Sequence, residues 1–408
     1  MNPPKWIKLN VISLFQYLLM FIIIVYGQTV WMRIEFIPGI VTYRSEVLSA
    51  FAALTLVILL ILNKKTSKKG LQTAALLGLV LLLYFILSFF KGWKYILLLV
   101  VNLCLMTIYL RSLWVTGKIE KLVKKYSDII VALAAISLVL YFAGPILRLI
   151  PSRLVHYFWA DKHQTCRTYF HLLYETQTQD FFGTTFIRNC GIFAEAPSYA
   201  VPLVLSLFYE MFIQKNNNII RKCILLAAIV TSFSTKGLLL LCVMIGLKMV
   251  DIAYINAAPN RYKQILRLIV PIAIAVVSFI AIAVFEQKTD SNSYATRIDN
   301  IQSTLVAFRN NWLLGVGLGN EGAVSQYSSL ILERYGFSIG ATLLLAQGGL
   351  YMTAFYLGSF IWALISSKNK RLVTYTFVVY LGILFTSNIT YYLSTVFILA
   401  LGYSKPRN

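Results

Sequence analysis

Lys64-Lys65-Thr66-Ser67-Lys68-Lys69-Gly70 runs directly into LQTAALLGLVLLLYFILSFF, Leu71 to Phe90. A cluster of ammonium groups thus precedes a stretch with no charge at all. About 20 predominantly apolar residues are what an α-helix needs to cross the hydrocarbon of a bilayer. Hydrocarbon offers the backbone no hydrogen bonds, so a helix that satisfies its own amides is the natural state of such a run. The lysines mark its leading end as cytoplasmic.

Similar runs recur along the chain, near 11–30, 47–62, 71–90, 95–110, 127–147, 198–213, 223–235, 237–250, 269–285, 339–365, 372–387 and 390–403. The expected fold is therefore all-α: one polytopic integral membrane helix bundle, 1–408, of about 12 spans. Composition agrees. The chain is 59% hydrophobic and 13% charged, against roughly 25% charged in an average soluble protein. That excludes an ordinary soluble domain, a disordered chain and a coiled coil.

Lys and Arg total 37 against 15 Asp and Glu, a formal net charge of +22. Such an excess suits nucleic acid or the cytoplasmic flanks of membrane spans. Position decides. Alternate loops hold 23 of the 37 basic residues, among them Lys118, Lys121, Lys124 and Lys125, then Lys368, Lys370 and Arg371. The intervening loops hold 11 of the 15 acids. Basic residues recur every two spans and do not gather in one domain. The reading is a bacterial cytoplasmic membrane protein, multi-pass, with both termini cytoplasmic and no nucleic-acid partner. The first run is long and has no small-residue cleavage site, so it reads as an anchor.

Two outward connections are long, about 148–197 and 286–338. The first is rich in aromatics, including His156, Tyr157, Phe158, Trp159, Tyr169 and Phe170. In the second, Ile298, Ile301, Leu305 and Phe308 fall at helical spacing. Interfacial helices with an aromatic belt would account for both; so would a platform that binds a sugar or a lipid headgroup and covers an active site. Cys166 and Cys190 share the first loop, where a disulfide is open but not required. Neither Cys nor His spacing resembles a metal site.

Three polar segments stand out near the outer face. Arg188-Asn189-Cys190-Gly191-Ile192-Phe193-Ala194-Glu195-Ala196-Pro197-Ser198 leads into one span. A snorkelling Arg188 paired with Glu195 is the plain alternative to a functional pair. Ser232-Phe233-Ser234-Thr235-Lys236-Gly237 lies between two short apolar halves. Lys236 near a helix start opposes the macrodipole, a poor place for a cation unless an anion binds there; an interfacial lysine is the alternative. Arg297 and Arg309 precede Trp312-Leu313-Leu314-Gly315-Val316-Gly317-Leu318-Gly319-Asn320. No strand and βαβ context precede those glycines, so a nucleotide fold is rejected. A turn bringing amides near an anionic group remains open. The cations Arg188, Lys236, Arg297 and Arg309 would suit a membrane-embedded phosphate or pyrophosphate.

These segments resemble a known family. The Arg188 segment is similar to the R-x-x-G-x-F-x-E-P-S pattern of bacterial polysaccharide polymerases of the Wzy type and the related O-antigen ligases. Ser232–Gly237 resembles their T-x-S-R-G turn, with Lys236 where Arg is usual. Arg297 through Asn320 resembles their R…GvGlgn segment. The resemblance spans roughly residues 185–365. Two departures stand: Ser338 falls where the ligases carry a His, and the Pro after Glu195 is displaced to Pro197.

The resemblance implies a lipid-linked-sugar glycosyltransferase of GT-C-like membrane fold, inverting and metal-independent, with no cofactor. It would pass a growing glycan from undecaprenyl pyrophosphate to the non-reducing end of a new lipid-linked repeat, for capsule, exopolysaccharide or O-antigen. Arg188 and Arg297 would neutralise the pyrophosphate, and Glu195 would position or deprotonate the acceptor hydroxyl. Lys236, Arg309, Gly315, Gly317, Asn320 and Ser338 would help bind substrate. The bilayer, a flippase and a chain-length regulator are the implied partners. A flippase or transporter for the same lipid is the alternative, with the ligase a third reading. Transporters place binding groups near the midplane, whereas these cations collect at one face.

Overall fold

The computed structural model of the chain describes residues 5–34, 44–63, 67–88, 92–159, 162–181, 184–214, 218–252, 292–329 and 337–407. The helices are α1 (Lys5–Val25), α2 (Arg44–Asn63), α3 (Lys68–Leu87), α4 (Trp93–Val115), α5 (Ile119–Ile146), α6 (Ala196–Ile213), α7 (Ile219–Thr231), α8 (Thr235–Val250), α9 (Asn292–Asn310), α10 (Glu321–Ser325), α11 (Gly340–Ser366), α12 (Lys370–Thr386) and α13 (Leu393–Tyr403). Between α5 and α6 lie five strands: β1 (Arg153–Trp159), β2 (Lys162–Tyr169), β3 (Leu173–Glu175), β4 (Thr178–Phe181) and β5 (Thr184–Ile187).

Six helices, α2, α3, α4, α5, α6 and α11, are long and apolar enough to cross a membrane. Residues Val11–Val25 of α1 and all of α13 are shorter apolar helices. The apolar run 269–285 lies outside the described residues. The α3 helix shows the logic of the six. Ser67 caps it, accepting from Gly70 N, and supplies one of the partners that the first-turn amides lack. Ala74, Leu77, Gly78, Leu81 and Tyr84 are buried, while Leu71, Leu76, Leu79, Leu83 and Ile86 on the other side are exposed. A helix apolar on both sides has no face for water. Small residues let such helices approach closely: a Cβ on Gly78 would lie 3.2 Å from Cys104 Sγ of α4. The buried Asn102 amide of α4 donates to Leu97 O in its own helix and to Ser49 O of α2, at 3.0 and 3.2 Å.

Two apolar cores share a central set of helices. One joins α1, α5, α11 and α13 to α2, α3 and α4. The other joins the same four to α6, α7, α8 and α12. The short halves around Ser232–Lys236 are separate helices, α7 and α8, joined by a tight reversal at Ser232–Ser234.

The first long loop corrects the expectation of interfacial helices. It is β structure: a three-stranded antiparallel sheet in the order β1-β2-β3 and a two-stranded β4-β5 hairpin. Val155, Tyr157 and Trp159, every second residue of β1, share one small core at the two-residue period of a strand, and these residue types favour strands. The second loop does contain the expected helix, α9. Its inward face is the polar one. Asp299, Asn300, Ser303, Thr304 and Ala307 are buried, and Leu305 is 46% exposed. The polar stripe faces the bundle because Asp299 accepts from Ser329 N and Oγ and Asn300 donates to Ser338 Oγ.

The α11 helix breaks at Gly349 (φ 61°, ψ −163°). The backbone of 312–317 docks into that break: Leu350 N donates to Trp312 O, Tyr351 N to Leu313 O, Val316 N to Ala346 O and Gly317 N to Gln347 O, all at 2.8–3.0 Å. Two backbones meet with no side chain between them. A Cβ on Gly349 would overlap Leu313 O, and one on Gly315 (φ 68°) would overlap the Gln347 carbonyl. Gly349→Ala is therefore expected to lower the melting temperature in detergent, by a loss of about 1–3 kcal/mol for a strained left-handed residue. Gly246→Ala in α8, where a Cβ meets nothing within 4 Å, should leave it unchanged or raise it. Equal melting temperatures for the two variants would show that the docked turn is not under this constraint.

Candidate functional site

A cavity of about 180 Å³ opens where α1 ends and α6, α8, α11 and α13 begin. Its walls include Gln28, Trp159, Glu195, Ser198, Lys236, Ser338, Ser387, Asn388 and Tyr392. On one side it reaches Val201 and Pro202, about 9 Å along α6 from Glu195 at 1.5 Å per residue.

The chain leaving α1 builds the first wall. Gln28 takes a left-handed backbone (φ 65°), and the segment beyond it is clamped on both sides. Val30 N donates to Ile192 O at 2.8 Å, and Ala194 N to Gln28 O at 3.0 Å. Thr29 bridges to Phe193 and Ile34 to Tyr157 of β1. Ser198 Oγ donates to Gln28 Oε1 at 2.7 Å. This pairing sets the Arg33 guanidinium 4.3 Å over the Trp159 ring, a cation–π contact that orients both.

The Arg188 and Lys236 segments are hydrogen-bonded directly to one another. Arg188 is buried, and its Nε donates to Ser232 O at 3.0 Å. Asn189 N donates to Thr231 O, and its side-chain amide reaches Thr231 Oγ1 (3.2 Å) and Ser137 Oγ of α5 (3.3 Å). Glu195 is the N-cap residue of α6. Ser234 caps α8 by accepting from Gly237 N, which places Lys236 in the first turn, ahead of the apolar run.

Lys236 and Glu195 face the same cavity, and neither is fully exposed. Burial pulls the Lys236 ammonium down to about 8; the Glu195 charge opposes this, while Arg297 and Arg188 push it further down. Burial raises the Glu195 carboxyl above its ordinary value, against the opposing pull of Lys236, Arg33 and Arg188. Four helix N-termini also end here, those of α6, α8, α11 and α13, represented in the lining by Glu195, Lys236, Ser338 and Tyr392. Each carries about half a positive charge from its free amides. Among the described lining residues, Glu195 is the one carboxylate. The field in the cavity therefore favours an anion, with a single base beside it.

The structure brings together residues from two of the three polar segments, Glu195 and Ser198 with Lys236, and adds Phe337 and Ser338 from just before α11; Arg188 is not part of the lining, and 297–320 contributes no lining residue. Other expected positions lie elsewhere. Arg297 is exposed on α9 and does not line the cavity, although its charge is felt at Lys236. One turn on, Asn300 donates to Ser338 Oγ at 3.4 Å. Arg309 is also exposed and sits about 18 Å further along the same helix.

Gly315, Gly317 and Asn320 do not line the cavity either. Their amides are engaged by Asn311 O, Gln347 O and Gly317 O. The Asn320 side chain caps α10 through Ala323 N and donates to Val316 O. The glycines serve the backbone docking at α11, since amides already bonded cannot cradle an anion. Cys166 and Cys190 are buried free thiols.

Gln28, Ser387 and Asn388 were not legible as site residues, because each lies in a connection with no motif; Trp159 stood only among the aromatics of the first loop, and the pairing of 28–34 with 190–194 and β1 carries Gln28 and Trp159 to the cavity. No protein-family model matches the chain, and no curated protein matches it significantly.

The charges predict a pH profile. If Lys236 holds an anionic ligand as a cation, the ligand's affinity should fall as pH rises through about 8. The acid limb, from Glu195, should lie above the usual carboxylate range. Lys236→Arg keeps its charge at every accessible pH and should abolish the alkaline limb. An unchanged limb in that variant would assign it to another group.

Proposed function

We propose that the protein is a polymerase of undecaprenyl-pyrophosphate-linked oligosaccharide repeats, in a bacterial cytoplasmic membrane, with twelve spans and both termini in the cytoplasm. The observation that carries this reading is the convergence of two separated polar segments, through Glu195, Ser198 and Lys236, with Ser338 on one cavity at one end of the helix bundle. Those two are among the segments whose order and spacing resemble Wzy-type polymerases. A lipid-linked substrate keeps its tail in the bilayer and presents pyrophosphate and sugar at the surface, and a cavity at the helix ends meets it there.

In this reading the acceptor hydroxyl oxygen attacks the anomeric carbon of the donor glycan. The carbon–oxygen bond to pyrophosphate breaks, and undecaprenyl pyrophosphate leaves with the electron pair. The hydroxyl proton passes to the Glu195 carboxylate. Lys236, Arg188 and the four helix N-termini stabilise charge as it develops on the leaving group, the kind of preorganised field that contributes most to such reactions. Arg297, on the exposed face of α9, meets the pyrophosphate from outside the cavity wall. Attack on the face opposite the leaving group inverts the anomeric centre. A flippase for the same lipid is the second reading. It draws support from the depth of the cavity, whose wall reaches Val201 and Pro202.

Expression of the wild type and Arg188→Ala in a strain lacking the polymer separates the two. The polymerase reading expects long chains from the wild type. From the variant it expects single lipid-linked repeats on the outer leaflet, because a buried cation has been removed beside the leaving group. Repeats held on the cytoplasmic leaflet would instead identify a flippase. Arg297→Lys should lose most activity, since an ammonium cannot form the two-pronged contact of a guanidinium with phosphate. Full activity there would remove Arg297 from the pyrophosphate site.

A further inference from the structure

The α1 helix ends at Val25, and the chain then reverses: Tyr26 N still donates to Ile22 O, and Gly27 N to Ile24 O. Glycine takes a left-handed backbone at such a helix end without steric cost. Here the left-handed residue is Gln28 (φ 65°), one place beyond Gly27. Of the non-glycine residues with positive φ among the described residues, it is the one that lines the cavity. Both backbone bonds at this position, Gln28 N to Tyr26 O and Ala194 N to Gln28 O, would form equally well with glycine. Strain of this kind collects at functional sites, so the use of this residue is to be sought in its side chain.

That side chain is a carboxamide, with one acceptor oxygen and two N–H donors. The oxygen is committed: Ser198 Oγ donates to Oε1 at 2.7 Å. Ser198 also lines the cavity, so the bond fixes the amide there. Nε2 donates to no described residue, and it is not one of the buried polar atoms shut off from a partner. Its two N–H groups are therefore accessible, on a residue of the cavity lining.

Such donors serve an acceptor. Lys236 in the lining and four helix N-termini ending at the cavity make an anionic oxygen the favoured one. A neutral amide adds a directed hydrogen bond and no charge. That matters beside Lys236, whose ammonium the Arg297 and Arg188 charges already disfavour; another cation at position 28 would deepen the repulsion.

We propose that Gln28 is a substrate-binding residue whose Nε2 donates to an oxygen of the lipid pyrophosphate, as the neutral partner of Lys236 in the same cavity. The inference rests on the proposed function and deepens it, by naming a group that holds the pyrophosphate without adding charge.

The test uses the full chain in detergent and two probes: undecaprenyl pyrophosphate, and the same lipid carrying the repeat from the producing strain. Gln28→Gly suits the left-handed backbone and should melt at or above the wild type. It should nonetheless weaken binding of both probes about tenfold, the scale of a hydrogen bond to a charged group. Gln28→Glu keeps an oxygen for Ser198 and exchanges the donors for a negative charge, so it should lose more. Ser198→Ala leaves both N–H groups on the amide and should lose less. Wild-type affinity in Gln28→Gly would overturn the inference. So would a loss in Ser198→Ala as large as in Gln28→Gly, which would make the pair a clamp between α1 and α6. A loss confined to the glycan-bearing probe would put the donors on sugar, and a Gln28→Gly protein melting well below the wild type would assign the side chain to folding; either overturns it too. In all of these cases a wild type that binds undecaprenyl pyrophosphate leaves the proposed function standing. A wild type that binds neither probe removes the proposed function, and this inference with it.

Discussion

Hydrocarbon returns no hydrogen bond to a polar group, and much of this structure follows from that constraint. Along α3 the leucines face outward as readily as inward, so burial of apolar area cannot choose its neighbours. Close approach and internal polar contacts do so instead. Gly78 lies against Cys104, and the Asn102 amide ties α4 to α2. The same constraint drives the polar residues of the spans to their ends. Polar lining residues, among them Gln28, Glu195, Ser198, Lys236, Ser338, Ser387 and Asn388, meet at one such end. There, unlike in the hydrocarbon, water or ligand can satisfy them.

The arrangement at that end is electrostatically one-sided. Four helices begin there, and Lys236 adds a full charge in the first turn of one of them. A cation at a helix start is repelled by the free amides around it, and burial adds to the cost, as the lowered Lys236 ionisation records. Glu195 compensates in part. A divalent anionic group would do so more fully, since it would face the amides and the ammonium together. This ties the placement of Lys236 to the chemistry of the site: the position is unfavourable in isolation and favourable with an anion bound.

Much of the helical architecture could be read from the chain. Runs with no charge for twenty residues have few other solutions, and α2, α3, α4, α5, α6 and α11 fall where the apolar runs do. The split at Ser232–Lys236 was also legible, because hydroxyls and a lysine interrupt an apolar run. The β structure of 153–187 was obscured by its aromatics, which are equally at home in an interfacial belt. The apolar stripe of α9 was legible as a stripe; the inward turn of its polar side was not, because it depends on Asp299 accepting from Ser329 and Asn300 donating to Ser338.

By itself, the sequence determined which segments are apolar enough to span, which loops carry the basic residues, and which polar segments interrupt the pattern. Those are local properties, set by composition over a window of one helix. Only the tertiary structure decided that Glu195, Lys236 and Ser338 share a cavity, that Arg309 stands apart from it, and that the glycines of 315–319 serve backbone docking at Gly349. Only the structure added Gln28, Ser387 and Asn388. Hydrogen bonds such as Arg188 to Ser232 or Ser198 to Gln28 join residues 44 and 170 positions apart. Spacing along the chain carries no trace of such contacts, because they depend on which helix ends meet once the bundle has packed.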